Sequence, residues 1–506
     1  MVAETVMMTP QDDATATTDP AMRSTSHGAT PPTAIATSDA SAAPVDAAPS
    51  ADGDASVSRA KAAKGSKRKK DQRTEEELAL HAEFRAKKRM ARKERKRNVK
   101  AAANAAAAEP DYYFSRGYRF VTPYVYEFRT HAKERWFGRT LLAMFTEEFG
   151  ANSPEYYRAA IASGRITVNN KIVSPDTVIK NRDLVVHKAH RHEPPVSGEE
   201  VAIYHEDDEV LVVAKPPSMP THPCGAYRHN SLHTIVSRMR PDLPTLNIVH
   251  RLDRLTSGIV ILAKSGAKAK ALAQCISDRE ASKTYLARVR GHVPLQLDDA
   301  FKQQLVATAR ANCAASEVSF LQDDSGADVI HVSCPLRCLS PRDAVWECHA
   351  DGKESQTRVR VRRLDRATTL VECKPITGRT HQIRLHLQLL GFPIANDPCY
   401  GGELHFGESA ERRAAIAVAA AQRETEASTR ATAPADFTTP QRDGESDDEF
   451  LRRTCPWCHH DRGADAAYNE TQLHCARIWL HALEYKLGGH VFQVPEPSWA
   501  APSDDY

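Results

Sequence analysis

The chain has 506 residues, more than one ordinary domain, and its uneven composition predicts two folded units with tails. No apolar run approaches the roughly 20 residues of a membrane span, and the N-terminus lacks the basic-then-apolar order of a secretory signal. These features predict an intracellular protein without a membrane partner, in the cytoplasm, the nucleus or the mitochondrion. The eleven cysteines are scattered, unlike those of a small disulfide-rich secreted domain, so we expect most to be reduced.

The overall charge of +3 conceals a strong asymmetry along the chain. Residues 1–58 contain one basic and eight acidic residues (net −7), whereas residues 59–100 contain eighteen basic and six acidic ones (net +12). Residues 101–506 therefore carry −2. Because this body is near neutral, its total charge does not indicate nucleic-acid binding, and that prediction must rest on local motifs.

The N-terminal part of the chain divides into two segments of biased composition. Residues 1–58 are rich in Ala, Thr, Ser, Pro and Asp without apolar periodicity, which predicts a disordered acidic tail. Residues 59–110 are rich in Lys, Arg, Glu and Ala, which predicts a solvated basic helical arm. The basic runs at 67–70 and 92–97 can act as a nuclear address, as an RNA phosphate clamp or as a solubilising tail.

Folded structure is predicted to begin near Asp111. Residues 111–133 carry partly alternating aromatic side chains, a pattern typical of a strand-rich extension. Apolar residues at helical spacing then predict a helix over 139–149. A second helix is predicted from Pro154 through Ile161, because proline is favoured in a first helical turn.

A helix, helix, hairpin pattern thus covers residues 134–193. The predicted hairpin runs from a strand at 165–168 through a turn into a strand at 172–173, and a strand at 184–186 closes the unit. This pattern, with GRITVNNK at its centre, resembles an S4-type RNA-binding module. The resemblance implies RNA contacts by basic residues of this module. The alternative is a small packed α+β domain with ordinary surface charges. The RNA-binding candidates here are Arg139, Arg165 and Lys171.

A larger domain is predicted over residues 194–500, after a hinge at two prolines. Short apolar runs at 209–214 and 259–263 predict buried strands, and 480–485 predicts a closing strand. Asp253 falls on the loop that leads into the second of these strands. A carboxylate on such a loop is held by the scaffold while its oxygens face a cleft, which suits a nucleophile or a general base.

Several phrases in this larger domain occur in a recognisable order. They are VAKPP at 213–217, HRLDR at 250–254, KTYLA at 283–287, TGRTHQIRLH at 377–386 and LGFPIANDPCYG at 390–401. Together they resemble the RluA-type RNA pseudouridine synthases. The phrases YFSRG at 113–117, KERWFGRTLL at 133–142 and HRHEPPV at 190–196 are similar to the eukaryotic subgroup that modifies tRNA at anticodon-loop position 32 and to its human relatives.

This resemblance implies a fold, a reaction and a set of site residues. The fold is α+β, a large mixed, mostly antiparallel sheet with flanking helices, preceded by the small S4-like domain. The reaction is the isomerisation of uridine to pseudouridine in a flipped-out nucleotide, without metal or cofactor. Asp253 is the implied catalytic residue, and whether it attacks the ribose or the base, or abstracts a ribose proton, stays open. The implied partner is RNA, above all tRNA, and we expect a monomer.

The neighbours of the aspartate receive supporting roles by the same resemblance. Arg384 pairs with Asp253, Tyr285 stacks on the flipped base, and Ile383 is the apolar wall opposite. Arg251 fills the position that the base vacates or contacts a phosphate, and Arg254 can do either. Two alternatives are a catalytically silent RNA-binding or ribosome-assembly protein and a synthase acting on rRNA or mRNA. A nucleic-acid glycosylase has no motif in its favour.

Two features lie outside this resemblance. The first is an insertion at about 406–450, rich in Ala, Arg and Glu and then in Ser, Thr, Pro and Asp, which we predict to be disordered and partly helical. The second is the pair Cys455 and Cys458, which could bind zinc if two more ligands came from elsewhere in the chain. The nearby candidates are His459, His460, His474 and Cys475. Without finger-type spacing, the favoured interpretation is two packed cysteines and no metal.

Overall fold

The computed structural model describes residues 110–149, 152–340, 344–407, 441–455 and 475–502, with single residues 414, 418 and 458. All of them belong to one compact unit, Ala107–Tyr506. The predicted acidic tail, and the basic arm up to residue 109, lie outside the described residues. No helix within the described ranges is long and apolar enough to cross a membrane.

The helices and strands are numbered in chain order. The α-helices are α1 (Leu141–Glu148), α2 (Pro154–Ala162), α3 (Leu232–Met239), α4 (Gly266–Ser277), α5 (Asp299–Asn312), α6 (Gln382–Leu389) and α7 (Asp447–Arg453). The first strands are β1 (Tyr112–Ser115), β2 (Tyr118–Val121), β3 (Tyr124–His131), β4 (Ile166–Val168), β5 (Leu184–Arg191), β6 (Val196–Ser197), β7 (Ile203–Glu206), β8 (Val210–Lys215), β9 (Asn247–Ile248) and β10 (Ser257–Ala263). The remaining strands are β11 (Ser282–Arg290), β12 (Glu317–Gln322), β13 (Asp328–Ser333), β14 (Leu336–Ser340), β15 (Val345–Cys348), β16 (Gln356–Leu364), β17 (Thr368–Pro375), β18 (Leu480–Leu487) and β19 (His490–Gln493).

A small domain is built from β3, β4, β5, α1 and α2. Its sheet has the order β3-β5-β4, and its own core lies between this sheet and the two helices. Each helix begins at a hydroxyl cap, because Thr140 and Ser153 accept from backbone N–H groups of the first turn. The two predicted helices are therefore confirmed. Tyr124 of β3 also reaches out of the domain, where its hydroxyl donates to Glu193.

The predicted hairpin in this domain is wrong in its second strand. Asn169 and Asn170 both adopt positive φ, so the chain does turn after β4. Only Lys171 then pairs back, with Val168, and Ile172 is 67% exposed outside any strand. The partner of β4 is instead β5, and the opposite edge of β4 is the edge of the sheet, where Lys171 makes its short pairing with Val168.

The larger domain contains an eleven-stranded sheet, as the α+β prediction requires. Its main order is β12-β13-β16-β17-β11-β18-β10-β8-β7, with β19 added to β18 and β9 added to β10. The pairing of β10 with β18 is parallel, and the other pairings of this sheet are antiparallel. Gly258 in β10 has a φ of +115°, and a Cβ there would lie 2.2 Å from the carbonyl oxygen of Ala482. Glycine therefore permits the close approach of β10 and β18 just after the Asp253 loop.

The structure moves the C-terminal boundary of the insertion. Residues 408–440, apart from 414 and 418, lie outside the described residues, so the prediction of disorder is not tested there. Disorder is wrong for the end of the range, since α7 begins at Asp447 with a capping box between Ser446 and Glu449. Phe450 and Leu451 are buried. The capping box and the burial of this apolar pair stabilise the end of the insertion as a helix.

Candidate active site

The loop that carries Asp253 connects β9 to β10 and is fixed on both sides of the aspartate. Before it, Leu252 exchanges two backbone hydrogen bonds of 3.1 Å with the hydroxyl of Thr221. After it, the N–H of Thr256 donates to the Asp253 carbonyl at 3.2 Å. The Asp253 side chain itself is 23% exposed. The scaffold therefore holds the backbone while leaving the carboxylate accessible, as predicted for a loop at the start of a buried strand.

Lys215 also stabilises the backbone of the Asp253 loop. Its buried ammonium group donates to the carbonyl oxygens of Pro216 at 2.9 Å, Met219 at 2.8 Å and Arg254 at 3.2 Å. Burial lowers the pKa of Lys215 to about 7, while the charge of Asp253 acts in the opposite direction. Three acceptors match the three donors of a protonated lysine. Lys215 belongs to the phrase VAKPP at 213–217, which did not indicate this role.

A cleft of about 450 Å³ opens above this loop. Its walls come from the Asp253 loop, from β11 and β18, and from the start of α6. The predicted residues Arg251, Asp253, Tyr285, Ile383 and Arg384 all line it. The structure therefore brings together five side chains that are separated by up to 133 positions, from Arg251 to Arg384.

The predicted partner of Arg384 requires correction. Its guanidinium group makes a bidentate pair with Asp397, with Nε–Oδ2 and Nη2–Oδ1 distances of 2.6 and 2.9 Å, and both side chains are buried. Burial lowers the pKa of Arg384, but the hydrogen bonds and charge of Asp397 outweigh that effect and raise it, with a smaller contribution from Asp253. Arg384 thus interacts with Asp253 only through charge, while its hydrogen bonds go to Asp397.

A second chain of contacts connects Arg384 to Asp253. The Arg384 guanidinium lies 4.6 Å from the centre of the Tyr400 ring, and the Tyr400 hydroxyl lies 2.7 Å from Nδ1 of His381. Nε2 of His381 is 3.8 Å from Oδ2 of Asp253. The Tyr400 hydroxyl accepts from the N–H of Trp346 at 3.1 Å, so its proton is available for Nδ1. The ring hydrogen of a neutral His381 then lies on Nε2, on the side of the aspartate.

His381 is a further site residue, which its place in the phrase at 377–386 did not indicate. It has a left-handed backbone conformation, with a φ of 57°, directly before α6. Burial lowers the pKa of His381, against an opposing effect of the Asp253 charge. The uncommon backbone conformation of His381 inside a cleft marks it as a site residue. This feature is visible only in the three-dimensional structure.

Tyr285 lies in the wall of the cleft on β11. It is 9% exposed, and its hydroxyl shares a 2.7 Å hydrogen bond with the hydroxyl of Tyr485 on β18. Burial raises the pKa of Tyr285 to about 12. Tyr485 in turn stacks on His250, with 4.3 Å between ring centres. The phenol of Tyr285 is thus fixed in position in the wall of the cleft.

The remaining RNA-binding candidates lie in different environments. Arg251 is exposed at the cleft, whereas Arg254 lies over the ring of Tyr227. Arg139 and Lys171 are on the surface of the small domain. Arg139 is paired there with Glu147 at 2.6 Å.

Arg165 was predicted wrongly as an RNA contact. It is only 4% exposed, and its Nη1 donates to the hydroxyl of Thr454 at 3.0 Å. Its guanidinium group also lies near the rings of Tyr156 and Phe450. Arg165 joins the small domain to α7, which no local pattern around residue 165 could indicate.

Comparisons with known proteins agree with this geometry. A family model described as RNA pseudouridylate synthase matches residues 209–389, which include the Asp253 loop. RNA pseudouridine synthase 7 of Arabidopsis thaliana is 35% identical over 391 residues, covering 77% of this chain and 88% of the relative. The mitochondrial tRNA pseudouridine(32) synthase of Saccharomyces cerevisiae is 33% identical over 375 residues, covering 73% and 72%. The tRNA pseudouridine(31) synthase of the same yeast is 30% identical over 414 residues, covering 77% and 96%.

The chain therefore belongs to the RNA pseudouridylate synthase family. It is an enzyme that converts uridine in RNA to pseudouridine.

Proposed function

We propose that this enzyme acts on tRNA, at uridine 32 of the anticodon loop, with Asp253 as its catalytic carboxylate. The observation that carries the proposal is the accessible Asp253 carboxylate on a fixed loop, facing Tyr285 and Ile383 across a cleft of about 450 Å³. This volume is within the range of small-molecule sites, roughly 300–1,000 Å³. One extruded nucleotide can enter such a cleft, whereas a stacked strand cannot.

The reaction rearranges one nucleotide without a change of oxidation state. The bond from N1 to C1′ breaks, a bond from C5 to C1′ forms, and the hydrogen displaced from C5 is balanced by the one gained at N1. An ionised Asp253 can attack C1′ of the ribose, attack the base, or take a ribose proton. His381 and Arg384 support each of these paths, since one lies 3.8 Å from the carboxylate and the other holds a positive charge at the cleft wall.

Extrusion of the uridine costs a few kcal/mol of lost stacking. Tyr285 offsets this cost, because a base that stacks on an aromatic side chain gains about 1–3 kcal/mol. Its hydroxyl is fixed by Tyr485, so the ring loses little freedom when the base binds. Ile383 supplies the apolar contact opposite, and exposed Arg251 can enter the position that the base leaves or contact a phosphate.

RNA affinity must come from local basic elements, because residues 101–506 carry a net charge of −2. The small domain supports a role as an S4-like RNA-binding module, since it has its own core and presents Arg139 and Lys171 at its surface. The proposed unit is a monomer inside the cell, in a compartment that contains tRNA, and it uses no small-molecule cofactor. The N-terminal basic run, net +12 over residues 59–100, can add phosphate contacts.

The choice of tRNA rests on the two yeast relatives whose names specify tRNA positions 32 and 31. The test uses anticodon stem-loops and full tRNAs with uridine at position 32 alone, at 31 alone, at both or at neither, and, in parallel, cellular rRNA and mRNA. Pseudouridine is mapped after incubation with the full chain or with Asp253→Ala. We expect product at position 32 with the wild type and none with the variant. Product at 31 alone overturns the position, and product restricted to rRNA or mRNA overturns the RNA class.

The same assay distinguishes an active enzyme from a catalytically silent RNA-binding protein. Binding of tRNA without product from any cellular RNA would support the silent alternative. The intact set of Asp253, Tyr285 and Arg384 in one cleft favours the enzyme.

A further inference from the structure

Four potential metal ligands meet at a place separate from the catalytic cleft. His190 lies near the end of β5 and His192 follows that strand, whereas Cys455 and Cys458 follow α7. One ligand atom from each of the four side chains lies within 4.8 Å of every other. We call these four residues the Cys–His cluster. Its two halves are separated by more than 260 residues along the chain.

The distances within the Cys–His cluster are close to those of a tetrahedral zinc site, with the two distances from Cys458 somewhat shorter. Zinc–sulfur and zinc–nitrogen bonds of about 2.3 and 2.0–2.1 Å place a sulfur and a nitrogen on one tetrahedron about 3.5 Å apart. The Sγ of Cys455 is 3.5 Å from Nε2 of His192. The Sγ of Cys458 is 3.3 Å from the same nitrogen and 3.0 Å from Nδ1 of His190.

We propose that the Cys–His cluster binds one structural Zn²⁺ ion. Two thiolates and two neutral imidazoles form a standard zinc ligand set, and the two negative charges balance the charge of the ion. A neutral assembly suits this place, where Cys455 is 4% exposed and His190 is 9% exposed. Because four protein ligands fill a tetrahedron, no position is left for a substrate, and the role of the ion is structural.

The surroundings indicate what the ion holds together. Thr454, next to Cys455, accepts a hydrogen bond from Arg165 of the small domain at 3.0 Å. Glu193, next to His192, accepts backbone N–H groups of Arg228, His229 and Asn230 of the larger domain, each at 2.9 Å. The ion therefore links two segments of the chain. One follows α7 at the end of the insertion, and the other is the end of β5, where the small domain is joined to the catalytic domain.

The two histidine ligands differ from the candidates that the sequence predicted. The partners of Cys455 and Cys458 come from β5 and the residue after it, far upstream of the pair. Cys475 donates to the carbonyl oxygen of Arg477 and is not a member of the cluster. His459, His460 and His474 lie outside the described residues. Two packed cysteines do not require two imidazole nitrogens directed at their sulfur atoms, whereas a zinc site does.

The metal content of the full chain tests the proposal. The protein is expressed in zinc-supplemented medium, purified without chelator, and analysed for metals by mass spectrometry. We expect about one zinc per chain in the wild type. The double variants Cys455→Ser/Cys458→Ser and His190→Ala/His192→Ala should lose it. The matched control Cys224→Ser/His205→Ala changes one exposed cysteine and one histidine elsewhere and should keep the ion.

A second measurement separates a built site from adventitious metal, and its first part uses the wild-type protein alone. Wild-type protein is stripped and reloaded with Co²⁺, and tetrahedral thiolate coordination should give intense visible absorption that Zn²⁺ abolishes. A zinc chelator should lower the melting temperature of the wild type but not that of Cys455→Ser/Cys458→Ser.

Two results would overturn the zinc site. The first is a wild-type chain that contains no zinc and gives no such Co²⁺ spectrum. The second is freshly purified wild-type protein in which Cys455 and Cys458 resist alkylation until a reductant is added, which would identify a disulfide instead.

Discussion

The catalytic cleft and the surface of the small domain differ in how deeply their charged residues are buried. In the cleft, Arg384 and Asp397 are buried and bound to each other through two hydrogen bonds. On the small domain, Arg139 and Lys171 remain in contact with solvent. A buried ion is costly to leave without its partner, whereas an exposed one is not. Removing one partner of this buried pair should therefore cost stability and activity together, whereas changes on the surface of the small domain should cost RNA affinity alone.

The largest effect is expected from Arg384→Met. This change leaves Asp397 buried without its partner, so the free energy of unfolding should fall by about 3–5 kcal/mol. Chemical denaturation at pH 7 measures the change. The double variant Arg384→Met/Asp397→Leu should recover most of the stability while activity stays low, because the positive charge beside Asp253 is absent. Full activity in the double variant would contradict the role of that charge.

Tyr285 comes next, because its two contributions can be separated. Tyr285→Leu removes the stacking surface, worth about 1–3 kcal/mol, and should lower kcat/KM by roughly 5- to 150-fold. Tyr285→Phe keeps the ring but removes the hydroxyl bonded to Tyr485, so it should reduce stability with a smaller effect on kcat/KM. Equal kinetics for the two variants would contradict stacking on this ring.

The buried polar groups behind the cleft make a smaller, pH-dependent contribution. Burial lowers the pKa of His386 to about 4, and its ring contacts the hydroxyls of Ser355 and Thr357, each at 2.9 Å. The unfolded chain, with a histidine pKa near 6.5, binds more protons between these values. The stability that neutral His386 contributes is therefore complete above pH 6.5 and is lost as the pH falls towards 4, by about 2 kcal/mol at pH 5.

Thermal melts at pH 7 and pH 5 test this prediction by comparing wild type with His386→Gln. The difference between the two pH values should be smaller in the variant, whatever its stability at pH 7. An identical difference in both proteins would show that His386 does not take up a proton on unfolding.

The smallest effect is expected for Lys171→Ala on the small domain. Loss of one phosphate contact should weaken tRNA binding similarly for all sequences and reduce the salt slope of binding by about 1. Fluorescence anisotropy over a salt series measures that slope. Lys302→Ala, a lysine of α5 in the larger domain, is the control and should leave the slope unchanged. An unchanged slope for Lys171→Ala would remove this residue from the RNA surface.

Residues that depend on short contiguous phrases were predictable from sequence. The position of Asp253 on a loop, the strands predicted at 209–214 and 259–263, and the two helices of the small domain all follow from local pattern and are confirmed. Tyr285 and Ile383 line the cleft as predicted, although their contacts with a base stay a prediction.

Properties that depend on a distant partner were not predictable. Arg384 was assigned to Asp253, but the choice between two carboxylates depends on how α6 meets the loop after it. Arg165 was predicted to be a basic residue at the surface, but it is buried against α7. Its hydrogen-bond partner Thr454 lies 289 residues further along the chain. The Cys–His cluster is the clearest example. Neither the spacing of Cys455 and Cys458 nor that of His190 and His192 indicates which residues complete the site.

The central claim is that the carboxylate of Asp253 performs the reaction. Asp253→Asn keeps the shape of the side chain while removing its charge and basicity, so it tests this claim most directly. Pseudouridine formed in tRNA is quantified for both proteins at equal occupancy of bound RNA, with melting temperature as a check on folding. The account predicts unchanged binding and folding with product at the uncatalysed background. Product formation by Asp253→Asn at the wild-type rate would contradict it.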